Sequence, residues 1–415
     1  MKVLVLSPTV PWPLDRGDRV RIYNMVKELS TKHEVDSISA VDRFYEHTGE
    51  AVEQLRKACS SVTLVPLPHR SIVSRAVLKA AYVMAHYTFG VDSSEFYFNL
   101  WPLVHAVRRA IRSCNYDVVL TNYWYTAYKA VREAQTATIC DTIDVISQNA
   151  SRLHSITSKS PIEKWLAVRH TARLRKKETE VLNSHDLLIC VHDEDVRLLR
   201  EELGVHTPTL SIAHVRDKQR MAYACPSIGK DVVLFFGALH SPMNKDAALI
   251  AATKILPLIK REIPGAELHL AGSGVDSHIQ SLAMLDGVRI VGYAADLEKL
   301  FHSAKVLLLP LRMGSGIKGR VLEAMEAGIP VVGSTIAAEG IPVKLGETMI
   351  VSDEPDELAS WVVRLLKDAN LRQRISRNAR EFVEKTYSWE NTYGSIHRCL
   401  ELAKAIHQQK NRPSQ

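Results

Sequence analysis

Residues 307–332 read LLLPLRMGSGIKGRVLEAMEAGIPVV, and this stretch decides the fold. Val306 to Leu309 is an apolar run of strand length. Gly314, Gly316 and Gly319 make a loop poor in side chains, which lets backbone N–H groups come close to a ligand. Val321 to Ala327 is built mostly from good helix formers, and Gly328 followed by Pro330 stops the helix. A second apolar run opens at Val331. The pattern is strand, glycine-rich loop, helix, strand, the unit of a parallel α/β sheet. The loop carries Lys318 and Arg320 to a helix N-terminus, where an anion is already favoured. Glu323 follows Arg320 by three residues and shares its face. The chemistry implied is a phosphate site with a carboxylate beside it, able to accept hydrogen bonds from a sugar diol. A P-loop is excluded, because Arg320 and Val321 stand where its Lys and its Mg²⁺-binding Ser/Thr belong.

Outward from this stretch the same alternation continues in both directions. Upstream, Lys2–Ser7, 35–41, 62–65, 117–120, 137–141 and 186–190 are short apolar runs separated by helical segments. Downstream of residue 230, Val232–Phe236, Glu267–Ala271 and 288–291 repeat the pattern, with helices expected over 245–260 and from Asp296. Such alternation predicts parallel sheets covered on both faces, with ligands gathered at the carboxyl ends of strands. The polar strand ends are Thr121-Asn122-Tyr123, Asp141-Thr142-Ile143-Asp144 and His192-Asp193-Glu194-Asp195. Acids at 193–195 suit a helix start. Asp18 is the expected N-cap of the first helix, Asp141 a turn cap, and Ser388 the N-cap of a last helix over 389–407. The domains expected are 1–206, a linker over 207–230, a second domain over 231–388, and a terminal helix over 389–415 that crosses back to the first.

The chain has 415 residues and a net charge of +7. Its hydrophobic and charged contents are those of a globular protein. Its six cysteines are scattered without a Cys-x-x-Cys pair, which argues against a zinc site or disulfide framework and suits a reducing cytoplasm. No apolar run reaches the roughly 18 residues of a membrane span, and the N-terminus has no signal-peptide core. Charge is uneven. Residues 56–132 hold ten basic residues against three acidic ones, interleaved with aromatic and aliphatic side chains. That segment reads either as a contact for an anionic membrane surface or acidic ligand, or as a packed helical insertion with a solvated basic face. No nucleic-acid-binding motif accompanies it.

The run Gly314-x-Gly-x-Lys318-x-Arg320-x-Leu-Glu323-Ala-Met-x-Ala-Gly328-x-Pro330-Val-Val resembles the donor-site signature of the retaining glycosyltransferases of family 4, with the GT-B fold. Pro11-x-Pro13-x-Asp15-x-Gly17-x-Arg19-x-Arg21 looks like the N-terminal loop of the same family. The resemblance implies two Rossmann-like doubly wound domains facing across a cleft. It implies transfer of a sugar from a nucleotide-diphosphate donor to an acceptor hydroxyl, with retention and without a cofactor or metal. It places Lys318 and Arg320 on the diphosphate, Glu323 on the ribose, and Gly17, Gly237 and Gly316 where backbone meets ligand. Tyr293 falls at the nucleobase and Ser315 at the donor sugar, while Asp144 orients the acceptor, a glycan or lipid-linked glycan. Two positions depart from the family. Ser315 stands where relatives carry the first of two glutamates, and Ile143 where they carry a histidine before Asp144. A non-hydrolysing sugar-nucleotide epimerase, or a non-catalytic sugar-nucleotide or glycan-binding protein, is the alternative.

Overall fold

The apolar runs become strands because each is short and rich in β-branched and leucine side chains; the central ones are buried on both faces and the outer ones only in part. A computed structural model describes residues 1–14, 16–41, 48–67, 72–89, 91–157, 160–213, 221–225, 229–314 and 316–411. The chain divides into two units, Met1–Arg216 with Glu390–Gln415, and Asp217–Trp389.

The first unit holds seven strands: β1 Lys2–Ser7, β2 Glu34–Val41, β3 Ser61–Pro66, β4 Val118–Asn122, β5 Ala137–Asp141, β6 Leu187–Cys190 and β7 Thr209–Ser211. Their order is β3-β2-β1-β4-β5-β6-β7, and every pairing is parallel. The chain moves outward from β1 to one side, then returns to its other side at β4, so the switch point lies between β1 and β4. Residues 209–211 pair with β6. They belong to the first sheet, so the connector between the domains starts after them; residues 214–220 lie outside the described residues.

The second unit holds β8 Val232–Phe236, β9 Glu267–Ala271, β10 Val288–Gly292, β11 Val306–Leu309, β12 Val331–Gly333 and β13 Ile350–Val351. The order β10-β9-β8-β11-β12-β13 is again wholly parallel, with its switch point between β8 and β11. Both units are therefore doubly wound α/β sheets.

Helix boundaries differ from the sequence reading in instructive places. The first helix spans Gly17–Leu29, so Arg16 takes the cap position and Asp18 falls in the first turn. There Asp18 accepts from Arg16 Nε and Nη2 at 3.1 and 2.6 Å, a use of its charge that also suits the helix dipole. The helix expected over 245–260 starts at Pro242 and is interrupted by a π turn at Ala251–Ile255 before Leu256–Glu262. Asp193 to Asp195 open the helix Asp193–Arg197, whose cap is the His192 side chain.

No helix starts at Ser388. Residues 389–392 form turns, Tyr393–Ser395 a 3-10 turn, and the last helix begins at Ile396. Gly394 and the non-helical backbone of Thr392 block an earlier start. This Ile396–Lys410 helix packs on the first sheet, burying Ile396, Cys399, Leu400 and Ala403. Lys404 Nζ donates to Asp117 at 2.8 Å, and His407 and Lys410 both reach Asp186 at 3.0 Å.

Candidate donor site and the polar end of the first sheet

In the second unit the site is assembled at the switch point. The loop after β11 ends in the helix Gly319–Ala327, which buries Val321, Leu322, Ala324 and Met325 and stops at Gly328 in a left-handed conformation. Lys318 is the residue at its cap position. The Lys318 side chain is buried, donates to the Gly316 carbonyl at 2.5 Å, and lies 3.7 Å from Glu339. Gly316 itself has φ +71°, a conformation open to glycine and costly for other residues.

Arg320 follows in the first turn. Its Nη1 donates to the carbonyl of Phe236, the last residue of β8, at 2.6 Å. The loop after β11 and the end of β8 are thereby joined across the switch point. Gly237 comes next. A Cβ there would collide with Arg320 Nη1, so the position accepts only glycine while the guanidinium is seated. Burial pushes the Arg320 guanidinium down to about 10, and the charge of Glu323 only partly offsets this. The group is a cation at neutral pH held in a poorly compensated place, one an anionic ligand would relieve. Glu323 is buried one turn further along.

The structure thus brings Gly237, Gly316, Lys318, Arg320 and Glu323 together. Ser315 lies outside the described residues. Tyr293 is at the same carboxyl edge, just after β10, and 67% exposed. It is separated from the Lys318 loop by β9 and β8.

Two further side chains belong to this cluster and were not singled out by sequence. Asn244, in the helix Pro242–Ile250, is 3% exposed and lies against Gly237. Its Nδ2 donates to Ala238 at 2.9 Å, while its Oδ1 meets no donor among the described residues. Glu339 approaches Lys318 from the turn beyond β12.

The first unit has its own polar end. Asp141, at the end of β5, does not cap a turn. It is fully buried and takes Nε and Nη2 of Arg21 at 2.9 and 2.7 Å, while Asn122 Nδ2 donates to it at 3.1 Å. Arg21 spends its remaining reach on the Ile212 carbonyl at 2.7 Å. The arginine that closes the N-terminal motif is therefore structural.

Asp144, three residues past the strand, is partly exposed. It follows Ile143, whose φ of +57° is a strained conformation for a β-branched residue; Tyr123 has φ +62° at the end of β4. Strain of this kind collects at functional sites. Burial, then the charges of Asp18 and Asp144, push the Tyr123 and Tyr125 phenols well above their usual range. The Tyr123 and Tyr125 rings are stacked, with centroids 5.1 Å apart. Gly17 is exposed, and a side chain there would touch nothing.

The stretch 56–132 is partly packed into the core through its apolar residues, and two of its arginines are paired at the surface. Leu103, Val104 and Val107 enter the core, Arg108 grips Glu133 with Nη2 at 2.5 Å, and Arg132 pairs with Glu180 at 2.9 Å. Among the described residues no set of His, Cys, Asp and Glu converges as metal ligands, and no helix is long and apolar enough to cross a membrane.

Residues 230–368, the body of the second unit, match the family model described as glycosyl transferases group 1. Over nearly its whole length the chain superposes on sucrose-phosphate synthase from Thermosynechococcus elongatus (TM-score 0.65, 17% identity, 97% of this chain and 100% of that one). The UDP complex of Anabaena HepE superposes equally well (TM-score 0.65, 16% identity, 97% and 100%). The fold is GT-B. In sequence, this GT-B chain is 21% identical to an uncharacterized 44.6 kDa protein of the cps region of Klebsiella pneumoniae, with 95% of this chain and 98% of that one aligned.

Proposed function

We propose that the protein is a retaining, metal-independent glycosyltransferase. It moves a hexosyl group from a nucleotide-diphosphate sugar to a hydroxyl of a glycan or lipid-linked glycan in polysaccharide or cell-envelope synthesis, on the cytoplasmic side where such donors are made. The carrying observation is Arg320, seated on the Phe236 carbonyl against Gly237 at the switch point of the second sheet, with Lys318 on one side and Glu323 on the other. Two buried or half-buried cations at a helix start, backed by a carboxylate, suit a nucleoside diphosphate. The match of this segment to glycosyl transferases group 1, the UDP in the HepE structure and the cps-region relative support the reading.

In this reading Lys318 and Arg320 neutralise the diphosphate as its bond to the sugar breaks. Each charge-assisted hydrogen bond contributes about 1.5–3 kcal/mol. The acceptor oxygen bonds the same face of the anomeric carbon, and its proton leaves with the diphosphate. Glu323 holds the ribose diol, and Gly237 and Gly316 admit the phosphates and sugar to the backbone. Tyr293 is assigned to the base, and Ser315 to the donor sugar from the sequence resemblance alone. Asp144 orients the acceptor hydroxyl, with Gly17 in the turn beside it. The positive charge a metal would supply comes from Lys318 and Arg320.

The test is a thermal-shift screen against UDP-, GDP- and dTDP-sugars, followed by assay of nucleoside diphosphate release with chelator present. One nucleotide series should stabilise the protein, by about 2.7 kcal/mol at 100 times its dissociation constant. Glu323→Ala should abolish both shift and release while leaving the circular dichroism unchanged. Full turnover by that variant refutes the assignment.

A further inference from the structure

The 22-residue helix Pro161–Leu182 is buried only at its far end, through Leu174, Glu178, Val181 and Leu182. Eight of its first nine residues are exposed, and four of these are large and apolar. Ile162 is 71% exposed, Trp165 56%, Leu166 42% and Val168 69%. This start is well built: Ser160 accepts from the Glu163 N–H at 3.2 Å and Glu163 returns to the Ser160 N–H at 3.0 Å, a complete capping box. An apolar cluster of this kind on a surface marks a contact site.

The helix period says what kind. Ile162, Trp165, Leu166, Arg169, Arg173 and Lys176 recur at i, i+3, i+4, i+7, i+11 and i+14, along one stripe. The stripe is apolar at its tip and cationic behind it. The Arg169 guanidinium lies over the Trp165 ring, 4.5 Å from its centroid, at the junction. From Trp165 to Arg173 is about 12 Å along the axis at 1.5 Å per residue. Between this helix and the neighbouring Ile146–Thr157 helix is a cavity of about 820 Å³, lined by Ala167, Val168, Thr171 and Leu203 and edged by Lys164 and Arg175. Arg175 Nε, buried, meets no partner among the described residues. Between 161 and 177 the chain has six basic residues and one acid, Glu163, which the capping box already uses.

We propose that the tip of the Pro161–Leu182 helix is a docking surface for an anionic lipid bilayer. Ile162, Trp165 and Leu166 enter the acyl boundary while Arg169, Arg173 and Lys176 meet the lipid phosphates. Charge complementarity selects this occupant over a neutral apolar partner, because the cations continue the apolar stripe on the same face. The inference stands on the first unit alone and does not rest on the transferase reading.

The experiment uses the full chain and sedimentation with vesicles of phosphatidylcholine, with or without phosphatidylglycerol. The wild type should bind the anionic vesicles only, and release them at high salt. Trp165→Ser with Leu166→Ser, and separately Arg173→Glu with Lys176→Glu, should each weaken binding about tenfold or more. Both pairs are at the surface, so unchanged thermal transitions confirm intact folding. Three results overturn the proposal: no binding by wild type, equal binding to both vesicle types, or full binding by both variants. Self-association through this tip, seen by sedimentation velocity and abolished by the serine pair without any vesicle binding, also overturns it. Vesicle binding is read without sugar nucleotides, so its failure leaves the thermal-shift result untouched, and the reverse.

Discussion

At Gly237 one missing carbon atom decides whether the Arg320 guanidinium can sit on the Phe236 carbonyl. The obstacle to a side chain is the end of a flexible arginine, not backbone, so Gly237→Ala should fold. The methyl would displace the guanidinium and weaken nucleotide binding, because one charge-assisted contact is worth about 1.5–3 kcal/mol. A loss of about tenfold to a hundredfold in affinity for the stabilising nucleotide is expected by calorimetry, with the melting temperature of the free protein nearly unchanged. Equal affinity in Gly237→Ala would place the diphosphate elsewhere. Lys318, Arg320 and Glu323 were legible in the sequence because their spacing around a helix start is itself the chemistry. Asn244 and Glu339 were not, since each reaches the cluster through a turn whose direction only the folded chain defines.

Elements were read more securely than their ends. β1, β5, β8, β9 and β11 coincide with the apolar runs, because a doubly covered parallel strand must be apolar throughout and its neighbours must not be. Caps went astray where a better use of the side chain existed. Asp18 binds Arg16 from inside the first turn. Asp141 accepts Arg21 across 120 residues of sequence, a pairing no local rule foresees. This pair ties the Gly17–Leu29 helix to the end of β5 and, through Ile212, to the segment after β7. Both side chains are about fully buried. Removing one partner leaves an uncompensated charge in the core, so Arg21→Met should cost about 3–5 kcal/mol in urea denaturation. Adding Asp141→Leu should recover most of that loss, since an apolar pair needs no desolvation. If the double variant is as unstable as the single one, the pair's value lies in its geometry at the polar end of the first sheet, beside Asp144.

The chain is discontinuous at the largest scale. The first unit uses residues from both termini, whereas the second is one unbroken segment, Asp217–Trp389. The sequence reading starts the last helix at residue 389, but it begins seven residues later, at Ile396, behind Gly394. That late start sets which side chains land on the first sheet. Ile396, Cys399, Leu400 and Ala403 cover it, and Lys404, His407 and Lys410 close on Asp117 and Asp186. Burying one large aliphatic side chain is worth about 1.5–3 kcal/mol, and a domain has only about 5–15 kcal/mol in hand. Deleting Glu390–Gln415 should therefore unfold the first unit alone. The truncated chain is expected to keep one cooperative urea transition and lose another, with proteolysis trimming it to a core near Asp217–Trp389. That fragment, expressed by itself, should show the surviving transition at the same urea midpoint. A fragment without a cooperative transition would mean that the second unit folds only with the first beside it.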